Sequence, residues 1–107
     1  MRVASDEIVF ISSDGNYSSF VFTHGESRVV TMQLGQIEKT IFHQLKTQGM
    51  NFIRIGKSLI INKVFIHYIN ISKQQLVLSD EGMTMHTLSA SREALKQLKE
   101  LIEKEAL

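Results

Sequence analysis

The segment Gly56-Lys57-Ser58 places a cation within the most apolar part of the chain. If residues 51–62 formed one straight strand, the Lys57 side chain would point into the core, where an unpaired ammonium is costly. Gly56 permits the strand to break there, because glycine adopts backbone angles closed to other residues. We therefore predict that Lys57 and Ser58 form a short exposed turn, suited to donating hydrogen bonds to a phosphate or a guanine edge. Apolar residues would anchor this turn on either side: Ile53 and Ile55 before it, and Leu59 and Ile61 after it. The alternative is a solvated lysine that guards an exposed strand edge against aggregation.

A second cation, Arg92, falls at the start of a segment with amphipathic helical spacing, residues 91–105. Ser91 is a natural N-cap, so Arg92 would occupy the first helical position. A helix N-terminus disfavours a cation and suits an anion, which its free N–H groups can bind. Arg92 and Ser91 would together complement a phosphate or read a base edge. The alternative is a surface arginine paired with Glu93 or another acid.

Four other polar residues are candidates for similar contacts, and each has a structural alternative. Asn16 could pair with adenine, and Tyr17 could pack on a sugar or donate its hydroxyl. Asn16 could instead form an Asx-type turn, with Tyr17 half-buried at a strand start. Arg54 could contact phosphate or pair with an acid in the scaffold. Lys63 could contact phosphate or have no specific role, whereas Asn62 is expected to be a structural turn residue.

Other kinds of chemistry have little support. Gly-Lys-Ser at 56–58 matches the end of a phosphate-binding loop, but Asn51 stands where that loop requires its first glycine. The histidines, at positions 24, 43, 67 and 86, lie on separate segments without metal-ligand spacing. Cysteine is absent, which excludes disulfides, zinc thiolates and thiol catalysis. We expect no catalytic residues, no metal and no cofactor, and therefore no enzyme.

Composition bounds the class of protein. The chain has 107 residues, 43% of them apolar and 21% charged, which is typical of a single globular domain. Its net charge of +1 comes from 12 Lys and Arg against 11 Asp and Glu, so any nucleic-acid site must arise from local clustering. No apolar run approaches the roughly 18 residues of a membrane span, and nothing resembles a signal peptide. We expect a cytoplasmic protein without a membrane partner.

The elements that must position the candidate residues are mostly short strands. Alternating and β-branched patterns predict strands over Glu7–Ser12, Tyr17–Thr23, Ser27–Met32, Val64–Ile71, Gln75–Ser79 and Thr84–Leu88. Turn-forming residues separate them at 13–16, 24–26, 72–74 and 80–82. From Gln33 onward the spacing of apolar residues becomes helical, and Gly35 weakens the start of this predicted helix. Its apolar stripe consists of Leu34, Ile37, Ile41 and Leu45. Phe42 lies beside the stripe, and Gly49 lies past the end of the helix. Short connections imply antiparallel pairing, and the predicted class is mainly β with two helices.

Three segments together resemble the LytTR DNA-binding domain of bacterial response regulators. EIVFISSDGNYSSFVF, residues 7–22, is similar to the family's first two strands and Gly-Asn-Tyr loop. FIRIGKSLIINKVFI, residues 52–66, contains its Phe-x-Arg-x-x-Lys-Ser-x-x-x-Asn signature. LSASREALKQL, residues 88–98, resembles its Ser-Arg helix start. The three occur in the family's order and cover about residues 6–104.

The resemblance implies an elongated stack of three small antiparallel sheets whose loops, rather than a recognition helix, enter DNA. Loops around Asn16-Tyr17, Lys57 and Arg92 would reach two successive major grooves and the minor groove between them. The implied partner is double-stranded promoter DNA with paired, directly repeated sites, bound as monomers or as a dimer. The implied regulators are an upstream receiver domain and a sensor histidine kinase of a two-component system. Because only residues 1–5 precede the first matching strand, residues 1–107 are expected to be a single domain excised from a longer regulator.

A small β-rich protein-interaction module without a nucleic-acid role is the other class of function. The near-neutral charge favours it, since positioning on a DNA backbone normally uses several cations. Scattered charges on the surface would support the interaction module. A basic edge that holds Lys57 and Arg92 would instead support DNA binding.

Overall fold

The computed structural model describes residues 7–44, 51–80 and 84–106. It confirms the predicted class, mainly β with two helices. In chain order the elements are β1 (Ile8–Asp14), β2 (Tyr17–Phe22), β3 (Ser27–Val30), α1 (Leu34–Gln44), β4 (Phe52–Ile55), β5 (Leu59–Asn62), β6 (Ile66–Asn70), β7 (Gln75–Asp80), β8 (Thr84–Ser89) and α2 (Arg92–Ala106). Short 3-10 turns follow β2 and β5, at Thr23–Gly25 and Lys63–Phe65.

All strand pairs are antiparallel and form two sheets. The first has five strands in the order β3-β2-β1-β5-β4, and the second has three in the order β6-β7-β8. Pairing of β1 with β5 merges two hairpins into one sheet, so the described residues form two sheets where the resemblance implied three. The body measures 36 × 27 × 26 Å and is moderately elongated.

The five-stranded sheet is covered on both faces except at its edge strand β3, which is mostly exposed. Helix α1 covers one face with Leu34 and Ile37, which pack against Phe20, Phe22 and Ile60. The three-stranded sheet and α2 cover the other face, with Leu76, Leu78, Leu95 and Leu98 packed around Val9 and Ile61. The layers on either side hold the sheet in place, and the hairpin turns lie at its ends.

A bulge in β1 explains how two adjacent residues face the same side. Ile8 pairs with Phe22. The next paired residue is Phe10, opposite Val21, which leaves Val9 as the extra residue. Val9 and Phe10 therefore both join the α2 side of the core, whereas Ile8 joins the α1 side.

Several boundaries differ from the prediction for local reasons. The third strand ends at Val30 rather than Met32, and the buried Ser18 hydroxyl donates to the Met32 carbonyl beyond the strand end at 2.7 Å. The strand predicted from Val64 begins at Ile66, since Lys63–Phe65 forms a 3-10 turn. Leu45 and Gly49 at the end of the first helix, Glu81 and Gly82 of one predicted turn, and the Ile41 and Phe42 side chains lie outside the described residues.

Candidate nucleic-acid interface

Two hairpin turns lie side by side at one end of the five-stranded sheet. The β1–β2 turn carries Asn16 and leads into Tyr17, the first residue of β2, and the β4–β5 turn carries Lys57 and Ser58. The Ser13 amide donates a hydrogen bond to the Ser58 carbonyl at 2.8 Å, which extends the β1–β5 ladder to the base of both turns. Two predicted site segments, about 40 residues apart in the chain, are therefore neighbours because antiparallel strands β1 and β5 pair.

The β4–β5 turn breaks the apolar stretch at Gly56, as predicted. Ile55 pairs with Leu59 across the hairpin, so the turn consists of the three residues between them. Gly56 has a φ of +62°, in the left-handed region that glycine enters without steric cost. Lys57 and Ser58 are both exposed. Lys57 thus sits in a turn rather than along a strand edge.

The β1–β2 turn presents Asn16 and Tyr17 to solvent. Gly15 has a φ of +67°, and the Ser13 hydroxyl lies 3.4 Å from the carbonyl oxygens of both Gly15 and Tyr17. No hydrogen bond joins the Asn16 side chain to any described residue, so the alternative Asx-type turn is not formed. Tyr17 is 55% exposed. Both side chains are accessible to a ligand at this end of the sheet.

Arg54 connects α1 to the β4–β5 turn. Its Nη1 donates to Oε1 of Glu38 at 2.9 Å, and its Nη2 donates to the Lys57 carbonyl at 3.3 Å. The pairing with an acid, left open by the sequence, is thus observed. Glu38 could not be predicted as this partner, because the contact depends on how α1 packs over the sheet.

The start of α2 matches the predicted cap. Ser91 Oγ accepts a hydrogen bond from the Ala94 amide at 3.1 Å, as an N-cap side chain does. Arg92 is exposed, and its Nη2 donates to the Ser72 carbonyl in the β6–β7 turn at 3.4 Å. Its observed partner is therefore a carbonyl rather than an acid. Ala94 and Gly56 line the same shallow cleft, so the first turns of α2 lie near the β4–β5 turn.

Lys63 and Asn62 lie at the other end of β5. The Lys63 amide donates to the Asn51 carbonyl at 2.8 Å. Lys63 follows the four residues of β5, so it lies about 13 Å along the strand from the turn that carries Lys57. Asn62 is buried, with Nδ2 donating to the Ile8 carbonyl at 3.0 Å and Oδ1 accepting from the Val64 amide at 3.3 Å. Asn62 is therefore structural, as expected. Lys63 is not brought together with the paired turns.

The described residues contain neither a metal-binding cluster nor a membrane-spanning helix. No group of three or more acidic or histidine side chains there could hold a metal ion. None of the described helices is both long and apolar enough to cross a membrane.

Comparison with known proteins agrees with the observed fold. Residues 1–103 match the family model of the LytTr DNA-binding domain. The chain matches none of the curated proteins with which it was compared. Among solved structures, the LytTr DNA-binding domain of a response regulator from Bacillus cereus is similar, with a TM-score of 0.65 and 16% sequence identity over 95% of this chain and 86% of that one. The chain therefore belongs to the LytTR family of DNA-binding domains of bacterial response regulators, a family of binding domains rather than enzymes.

Proposed function

We propose that this domain binds double-stranded promoter DNA sequence-specifically, as the output domain of a two-component response regulator. The observation that carries the proposal is the 2.8 Å hydrogen bond between Ser13 and Ser58, which holds two exposed polar turns together. Turns on a rigid sheet can enter a groove without an inserted recognition helix. A receiver domain and a sensor histidine kinase would then control when the domain acts.

Each exposed side chain of the paired turns has a role suited to its chemistry. Lys57 donates to guanine O6 and N7 or to a phosphate, and Ser58 donates to a neighbouring phosphate. Asn16 can form two hydrogen bonds with adenine, and Tyr17 packs on a sugar or donates its hydroxyl. Because the two turns are adjacent, they would read one stretch of a single groove.

The start of α2 supplies a separate contact. Arg92 offers a guanidinium fork for a base edge or a phosphate, and the capped helix start beneath it favours an anion. Ser91 already caps the helix, so its contribution to DNA binding comes through that helix end. Lys63, which lies away from the turns, would contact a phosphate outside the groove that they read. Paired direct repeats in a promoter could be filled by monomers or by a dimer formed through another domain.

Fluorescence anisotropy tests the proposal, with DNA from upstream of the protein's own operon titrated at several salt concentrations. We expect Lys57→Ala and Arg92→Ala each to weaken binding by about 1–3 kcal/mol where a base contact is lost, and to flatten the salt dependence where a phosphate contact is lost. Lys99→Ala is the matched control, since it removes the same charge from an exposed position on α2. Its affinity should stay close to that of the unmodified domain.

Two outcomes would contradict the proposal in different ways. Equal affinity for operon DNA and a scrambled duplex would remove sequence-specific binding. If both variants bound as tightly as Lys99→Ala, the binding would stand but the residues assigned to it would be wrong.

The near-neutral charge favours the alternative, a protein-interaction module, but no structural observation on the described residues does. Such a module would be expected to expose a contiguous apolar patch. In the described part of the chain, the large exposed apolar side chains away from the paired turns are spread over several elements: Val29 on β3, Met32 after it, Val64 after β5, Tyr68 on β6, Met85 on β8 and Leu101 on α2.

A further inference from the structure

We propose that Arg54 is a positioning residue, which with Glu38 holds the Lys57 turn in its DNA-binding conformation and makes no DNA contact of its own. This inference rests on the function proposed above and deepens it. It assigns Glu38, an acid, a favourable role in binding a polyanion. Charge alone predicts that an acid weakens binding to a polyanion. The proposal is therefore tested by whether replacing Glu38 weakens or strengthens DNA binding.

The contacts of Arg54 come from two different elements. In the sheet, Arg54 pairs with Ile60, whose side chain belongs to the core beneath α1. The guanidinium therefore lies on the α1 side, where Nη1 meets the Glu38 carboxylate at 2.9 Å. A Cβ built on Gly35 would lie 3.9 Å from Nη1, so the guanidinium also passes close to the first turn of α1. Helix α1 thereby fixes where this side chain can point.

The other end of the guanidinium holds the turn itself. Nη2 donates to the Lys57 carbonyl at 3.3 Å, which restrains the peptide between Lys57 and Ser58. That peptide follows Gly56, the residue with the least conformational restriction in the hairpin. Restraint from α1 therefore acts at the place where the backbone would otherwise move most.

The same contacts make Arg54 a poor phosphate ligand. Its charge is already balanced by Glu38, and a phosphate would have to displace that carboxylate. The Arg54 and Glu38 side chains are 33% and 29% exposed, and an ion pair in such a setting contributes little to stability. Its main effect is to hold the turn that carries Lys57 in one conformation.

Replacing Glu38 separates positioning from direct contact. Removing an acid near bound DNA should strengthen binding by electrostatics alone. We expect Glu38→Ala instead to raise Kd by roughly two- to fivefold, with the salt slope unchanged, because a restraint of this strength is lost and no phosphate contact is. Glu100→Ala, which removes an exposed acid from α2, is the matched control and should not weaken binding.

Two companion variants identify the route of the effect. Arg54→Lys keeps the charge but cannot bridge Glu38 and the Lys57 carbonyl together, so its Kd should rise as that of Glu38→Ala does. When Lys57 is already alanine, Glu38→Ala should raise Kd by less than in the unmodified domain, because of the side chains on this turn only Ser58 is left to be positioned. If Arg54→Lys bound normally, or Glu38→Ala bound more tightly than the unmodified domain, the Arg54–Glu38 pair would not position the turn and the proposal would be overturned.

A measurement without DNA keeps this test independent of the proposed function. The heteronuclear NOE of the Lys57 and Ser58 amides reports fast backbone motion. It should fall in Glu38→Ala, while the Gly15 amide in the other turn keeps its value. Unchanged values at Lys57 and Ser58 would overturn the positioning role, even if the domain binds DNA. Absence of DNA binding by the unmodified domain, with the NOE falling as expected, would overturn only the proposed function.

Discussion

At the residue scale, Asn16 and Asn62 show that one residue type can have two different roles, one in binding and one in stability. Asn62 is 2% exposed and uses both its amide nitrogen and its oxygen to satisfy backbone groups of Ile8 and Val64. Asn16 is exposed and has no hydrogen-bonded partner in the described part of the chain. A polar group that is already satisfied within the fold stabilises it, whereas an exposed one is available to a ligand. The two should therefore separate stability from binding.

We expect Asn62→Ala to lower the free energy of unfolding by about 1–3 kcal/mol, because the buried Ile8 carbonyl loses its donor. Asn16→Ala should change it by less than about 0.5 kcal/mol, as surface substitutions usually do. Urea unfolding followed by circular dichroism measures both, and Asn16→Ala is the matched control. Equal midpoints for the two variants would show that the Asn62 hydrogen bonds contribute no net stability.

At the scale of elements, both hairpin turns depend on one left-handed glycine each. Around Gly56 an added Cβ would meet no atom within 4 Å, so a side chain there costs only backbone strain. We expect Gly56→Ala to destabilise the domain by about 1–2 kcal/mol. Gly56→Asn should cost less, since asparagine tolerates this conformation. Thermal or urea unfolding compares them, and an equal loss for both substitutions would mean that backbone strain is not the cause.

How far these elements could be predicted depends on whether local or tertiary forces set them. The break at Gly56 was predictable, because burying Lys57 is costly and a glycine precedes it. The cap at Ser91 was predictable from helical spacing alone. The bulge at Val9 was not, since adjacent apolar residues give no sign of which faces they will reach. The adjacency of the two turns was also hidden, because it arises only when β1 pairs with β5.

The candidate site residues show the same division between features set by local forces and features set by tertiary packing. The sequence indicated Lys57 and Arg92 as cations in unusual places, and the structure leaves both exposed. It could not tell whether Arg54 would meet an acid, because Glu38 approaches only when α1 packs on the sheet. The separation of Lys63 from the turns likewise follows from the length and direction of β5. The chemistry of each residue could thus be predicted from the sequence, but which residues lie close together could not.

For the molecule as a whole, the low net charge limits how DNA can be bound. A charge of +1 gives little general attraction to a polyanion, so affinity must come from a few placed cations. Helix α2 illustrates this balance, since it exposes three lysines and three glutamates: Lys96, Lys99 and Lys104, and Glu93, Glu100 and Glu103. Binding to arbitrary DNA should therefore be weak relative to binding at the correct site.

This sparse set of cations predicts a shallow salt dependence. If Lys57, Lys63 and Arg92 are the phosphate-facing cations and Arg54 stays paired with Glu38, the slope of log K against log salt concentration should be roughly −3, at about −0.9 for each phosphate neutralised. Anisotropy titrations across a salt series measure that slope, and Lys63→Ala should reduce its magnitude by about one. A slope steeper than about −6 would require phosphate contacts from many more cations than these. The paired turns would then be a small part of a broad basic surface. Given the low net charge, the cations would have to lie mostly on one side of the domain and the acids on the other.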